Sequence, residues 1–178
     1  MRRFVCVVIV FLGLGGCGGG IDTHPDRFIP DTTDPGQDSI SLELRSLDDE
    51  RVVLNVKANR ISSDVFSATF DLHFDSSVLS FDGFEPGNFL EDEGNQVDYL
   101  LAPASDRTDL LIAGVSKRQG QSGSTGDGTL ITIRFKKVLA GTSALAFENM
   151  SLTDPSGNEI RRPDQSEIKW YGATIVLN

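Results

Sequence analysis

From residue 40 onward, apolar and polar positions alternate with a period of two. Ile40, Leu42 and Leu44 alternate with Ser41, Glu43 and Arg45, and Val52, Leu54 and Val56 alternate with Val53, Asn55 and Lys57. The longest run covers residues 66–74, where Phe66, Ala68, Phe70, Leu72 and Phe74 share one parity and Ser67, Thr69, Asp71 and His73 the other. Successive side chains of an extended strand point to opposite faces, so the first set is expected in a core and the second on an outer face. Further strands are predicted over 79–84, 97–101, 110–115, 129–138, 144–152 and 173–177. Turn chemistry separates them at Asp82-Gly83, Glu85-Pro86-Gly87, Ala140-Gly141 and Asp154-Pro155-Ser156-Gly157. Beyond the first residues, no segment keeps a helical stripe for more than a turn. About nine short strands with regular punctuation predict an all-β fold, an antiparallel two-sheet sandwich forming one domain over 39–178.

The front of the chain reads differently. Arg2 and Arg3 precede an apolar run over 4–14, followed by Gly15, Gly16 and Cys17. A basic start, a short apolar stretch and small residues are the pattern of a secretory leader, and the run is well below the ~20 residues a membrane-spanning helix needs. Small residues directly before a cysteine resemble the lipobox of bacterial lipoproteins. That resemblance implies a signal peptide over 1–16 and a lipid-bearing Cys17 as first mature residue. It also implies an exported protein held to the cell envelope through lipid alone, with Gly18 resembling sorting to the outer membrane or cell surface. Cys6 lies inside the run and Cys17 is the other of the two cysteines, so the domain is expected to be held by its core without a disulfide. Residues 17–38, with Gly18-Gly19-Gly20, His24-Pro25, Ile29-Pro30 and Asp34-Pro35-Gly36, are expected to be a tether.

Charge narrows the partners. With 26 acidic against 16 basic residues the net charge is −10, which repels phosphate backbones and argues against nucleic acid.

The segment from Val65 to Phe81 joins the long alternating strand to Phe74-Asp75-Ser76-Ser77-Val78-Leu79 and a second strand. It resembles the aromatic-Asp-Pro-x-Val-Leu signature of cohesin modules, with Ser76 where the family usually has proline. Gly87, Gly126-Asp127-Gly128-Thr129-Leu130, Gly141-Thr142-Ser143, Leu152-Thr153-Asp154 and a closing strand from Tyr171 to Leu177 follow in the family's order. The resemblance implies a jelly-roll-like sandwich that binds a dockerin-type protein partner on one sheet face, in settings linked to polysaccharide degradation. Carried over by position, the partner-binding face would hold Ser67, Thr69, Asp71 and His73, with Ser67 and Thr69 standing where better-known members have an acidic or amide pair. No cofactor is implied for the module, and calcium would sit on the dockerin. Independently of family, the Asp75 carboxylate is placed to accept hydrogen bonds from the amides of Ser77 and Val78 and so fix the corner between two strands.

Other constellations are weaker. Ser67, Asp71 and His73 share a strand face, but residues two apart project in parallel about 7 Å from one another, and a catalytic triad needs direct contacts. No catalytic residue is therefore assigned. Residues 120–128 are glycine-rich, yet no Lys-Ser/Thr follows the last glycine and Thr129 begins a strand, so a loop is expected rather than a phosphate cradle. Glu91, Asp92 and Glu93 offer oxygens of the kind calcium takes, without EF-hand spacing, and read as a solvated loop. Two isolated histidines exclude the usual zinc sites, and no metal site is assigned. Trp170, Tyr171 and Tyr99 are the side chains that could stack on sugar rings if the sandwich bound polysaccharide directly; a structural envelope lipoprotein is the third alternative.

Overall fold

The computed structural model describes residues 25–91 and 96–178. Among them are eleven strands and no helix: β1 (Arg27–Pro30), β2 (Ser39–Leu47), β3 (Arg51–Val65), β4 (Ser67–His73), β5 (Leu79–Pro86), β6 (Val97–Pro103), β7 (Leu110–Lys117), β8 (Ser124–Lys137), β9 (Gly141–Thr153), β10 (Lys169–Tyr171) and β11 (Ala173–Leu177). They form a six-stranded sheet in the order β1-β11-β9-β4-β7-β6 and a five-stranded sheet in the order β10-β2-β3-β8-β5. All nine stretches that alternation picked out are strands, most of them longer than the pattern suggested.

Three features differ from the sequence expectation. β1 lies within the stretch read as tether and pairs antiparallel with β11, Phe28 opposite Ile175, so the sandwich draws on residues well before Ser39. β10 pairs with β2 in parallel, the one exception to the antiparallel rule among the described pairs. The glycine-rich loop ends early, because β8 begins at Ser124 and runs through Gly126 and Gly128 against β3 with an irregular register. The leader, Cys17, Asp92 and Glu93 lie outside the described residues.

The core forms where the two inner faces meet. Ala68, Phe70 and Leu72 of β4 are buried, as are Val52, Leu54, Val56 and Ala58 of β3 and Ile131, Ile133 and Phe135 of β8. Phe66, expected inward, sits half-buried at the junction before β4, where its main chain bridges two neighbours: its N–H donates to Thr153 O and its carbonyl accepts from Lys117. Aromatic rings span the apolar layer, Phe74 against Phe135 at 5.1 Å and Phe70 against Trp170 at 5.5 Å.

Asp75 makes the corner after β4. The amide and hydroxyl of Ser77 donate to its Oδ1 at 2.8 and 2.6 Å, while the amides of Val78 and Leu79 donate to its main-chain carbonyl at 3.0 and 2.9 Å. Ser143 of β9 accepts the Asp75 N–H at 2.9 Å. The Ser77 hydroxyl, then the Ser77 amide, hold the Asp75 carboxyl below its ordinary value, with the Val78 amide adding to the effect. Val78 and Leu79 are buried at the end of the sandwich.

Two consequences are measurable. Phe70→Ala is expected to cost about 3–5 kcal/mol in urea unfolding, because it empties the centre of the cross-sheet packing. Asp75→Asn is expected to lower stability at neutral pH. A carboxyl whose folded pKa is depressed contributes stability above its unfolded value, and that stability is lost as pH falls through the folded value. The stability curves of wild type and variant should therefore converge below the ordinary 3.8; curves that stay apart in strong acid would show that the Asp75 bonds are not the cause.

Candidate functional site: the outer face of the six-stranded sheet

β4 is central in its sheet, flanked by β7 and β9. With Ala68, Phe70 and Leu72 turned inward, Ser67, Thr69, Asp71 and His73 face out as expected, Thr69 exposed and the other three half-buried. The register extends these positions into rows across the sheet. Leu100 of β6, Gly114 of β7, Thr69 and Ser151 of β9 form one row; Ala102, Ile112, Asp71 and Glu148 form the next.

The middle of this face is apolar and low. Leu100 is 59% exposed and Ile112 44%, large values for aliphatic side chains in strands. A Cβ on Gly114 would meet nothing within 4 Å, so the surface is open above it. Ala102 and Ala146 add little height.

Polar groups hold the ends. His73 Nε2 lies 3.0 Å from Glu148 Oε2, and Arg107 Nη2 lies 3.3 Å from His73 Nδ1. A neutral imidazole carrying its proton on Nε2 satisfies both contacts, donating to the carboxylate and accepting from the guanidinium. Arg107 also grips Asp109 through two donors at 3.0 and 2.9 Å, which holds the Asp109 carboxyl below its ordinary value. At the other end Arg118 pairs with Asp98 at 3.0 Å. Between them Asn149 donates to Asp71 at 2.6 Å, and Ser67 and Thr153 share a 2.6 Å hydroxyl bond. Asn149 has φ +49° and sits in an irregularity of the β4–β9 ladder, where three steps of β9 match two of β4. This bulge turns the amide toward Asp71.

Ser67, Asp71 and His73 thus each bond to a different neighbour and form no triad. Thr69 stays exposed. Leu100, Ile112 and Gly114 were missed by the sequence reading; a glycine at an outward position inside a strand was the available signal.

The three aromatic side chains considered for sugar stacking are not brought together. Trp170 packs into the core edge, its ring 5.5 Å from Phe70 and 5.2 Å from Phe147. Tyr171 follows it directly and faces the other way. Tyr99 lies on β6, at the opposite edge of the sandwich from β10, where its hydroxyl donates to Gly87 O at 2.9 Å and lies 3.2 Å from Glu91 Oε1. Burial, then the charge of Glu91, push the Tyr99 hydroxyl above its ordinary pKa. No group of three or more His, Cys, Asp or Glu side chains that could hold a metal occurs among the described residues. A hollow of about 760 Å³ lies apart from this face, between Ser62, Asp64, Asp154 and Arg161.

The chain belongs to the Cohesin domain family, whose model matches residues 48–165. Such domains are non-catalytic protein–protein interaction modules, typically extracellular or on the cell surface. The fold is shared with a type II cohesin domain from the cellulosome of Acetivibrio cellulolyticus, at 16% identity and TM-score 0.61 over 78% of this chain and 94% of that one. It is shared also with a non-cellulosomal cohesin from the archaeon Archaeoglobus fulgidus, at 18% identity and TM-score 0.52 over 84% and 89%. A type I cohesin–dockerin complex from Clostridium thermocellum matches at 18% identity and TM-score 0.53 over 76% and 96%. A comparison with curated proteins found no match.

Trp170 provides a check on this geometry, since it is the single tryptophan. Its emission is expected to be blue-shifted, poorly quenched by iodide and unmoved by soluble polysaccharide; a sugar-dependent shift would restore Trp170 as a stacking platform.

Proposed function

We propose that this chain is an envelope-anchored receptor that captures a dockerin-type partner on the outer face of β9, β4, β7 and β6. Family membership supports the interaction role, and several of the similar structures are cohesin–dockerin complexes. The observation that carries the choice of face is the exposed Leu100 and Ile112 beside the open surface over Gly114, framed by charged ends. Solvent-exposed aliphatic side chains on a sheet whose other face is core mark a surface that gains by being covered. A partner burying roughly 800 Å² per side would span these four strands. Calcium, where required, would belong to the partner. The leader and Cys17 supply export and lipid attachment, and the partner would bring a polysaccharide-degrading activity to the cell surface. Among the described residues, direct sugar binding has no aromatic platform to support it.

The test is a pull-down from solubilised envelope and secretome with residues 25–178 as bait, which retains β1, with and without chelator. Calcium-dependent capture of a dockerin-bearing protein is the expected result. With that partner in hand, Leu100→Ala should weaken binding about tenfold, and Thr69→Arg more, with unchanged thermal unfolding. Undiminished affinity in both folded variants would move the site to another face.

A further inference from the structure

A second exposed apolar feature lies at one pole of the sandwich. β8 ends at Lys137 and β9 begins at Gly141, and the turn between them is Val138-Leu139-Ala140. Leu139 is 64% exposed and Val138 48%, although the Val138 amide is fixed to Val78 O at 2.9 Å beside the Asp75 corner. The turn therefore presents aliphatic side chains from an ordered base.

The same pole is where the chain enters the domain. Asp26 accepts from the half-buried Lys137 ammonium and from the Asn178 amide at 2.8 Å, and Asn178 Nδ2 donates to Pro25 O at 3.1 Å. Asp26, Lys137, Val138, Leu139 and Asn178 line one hollow. Pro25, the first described residue, consequently lies beside the aliphatic turn. The eight residues from Gly18 to Pro25 reach at most ~29 Å, whereas the 14 residues of β8 extend about 46 Å. A lipid on Cys17 would hold the Leu139 pole toward the bilayer and could not let the Ser124 pole rest there instead.

We propose that the Val138-Leu139-Ala140 turn contacts an electroneutral lipid surface, setting the sandwich upright so that the face of β9, β4, β7 and β6 stands sideways to the membrane and stays free. This rests on the lipid anchoring inferred above. The preference for electroneutral headgroups follows from the adjoining turn: Asp48, Asp49 and Glu50 join β2 to β3 at this pole, where Lys137 N donates to Glu50 O at 2.9 Å. Three carboxylates there oppose approach to anionic lipid.

The experiment uses the full chain, lipidated in a bacterial host and reconstituted into phosphatidylcholine vesicles, with an environment-sensitive probe on Leu139→Cys or, as a second reporter, Ala140→Cys. Ser122→Cys, in the connection at the far pole, is the control, and thermal unfolding verifies each variant. Probes at 139 and 140 should shift to the blue and be quenched several-fold more by headgroup nitroxide than the probe at 122, and replacing half of the lipid by phosphatidylglycerol should reduce that quenching. Vesicle-bound protein whose three probes are equally open to iodide would overturn the contact and leave the anchor standing. Unmodified chain that stays soluble, behaving like Cys17→Ala, would overturn the anchor and the contact together. A concentration-dependent blue shift without vesicles would assign the turn to a second copy and overturn the proposal.

Discussion

Aromatic packing between the sheets fixes everything that the outer surface presents. Phe70 on β4, Phe147 on β9 and Trp170 on β10 meet within 5.2–5.5 Å, and Phe74 reaches Phe135 on β8. Each such pair adds about 0.5–1.5 kcal/mol beyond the area it buries. Because a strand slipped by one residue would put Ala68, Phe70 and Leu72 in water, the inner face dictates the register, and the register dictates that Thr69 and Asp71 face out. The proposed binding surface is the reverse side of a packing solution.

Closure of the sandwich depends on a strand that changes sheets. β10 adds to β2, and after Gly172 alone the chain continues as β11 beside β9. A Cβ at Gly172 would fall 2.0 Å from Leu145 O, so the close approach of two backbones at this crossing needs glycine. Gly172 O also accepts the Asp31 N–H at 3.1 Å, which fastens the segment after β1 to the crossing. β1 then covers the outer edge of β11, and the Asp26–Lys137 pair ties the segment before β1 to the end of β8. One edge of the sandwich is thus assembled from both ends of the domain.

What was legible in the sequence follows from the range of each interaction. Period-two alternation is local, and it located nine strands and the parity of Ser67, Thr69, Asp71 and His73. The Asp75 corner was legible because its bonds to Ser77, Val78 and Leu79 lie two to four residues away. β1 and β10 were not, being strands of four and three residues with no room for a repeating pattern. The start of β8 was hidden by glycines that usually mark loops, here accommodated by an irregular ladder and a positive φ at Gly126. The site itself was half legible. Which residues stand beside Thr69 depends on the pairing of β6, β7 and β9, which come from segments up to about eighty residues away, and neither the Asn149 bulge nor the Glu148–His73–Arg107 chain has a local signature.

The arrangement of bonds on the face suits binding without rearrangement. Ser67, Asp71 and His73 are each held by a neighbour, so a partner that meets them need not bear the cost of ordering them. Leu100, Ile112 and Thr69 carry no such tie, and as short or branched side chains in strands they have little rotamer freedom to lose. Affinity would therefore come from covering the apolar centre, while the Asp98–Arg118 and His73–Glu148–Arg107 ends discriminate among partners by charge. Gly114 decides the shape of what can be covered. Any larger residue there would fill the low ground between Leu100 and Thr69, so a convex element such as one helix of a partner fits where a flat one would leave the two aliphatic side chains partly wet.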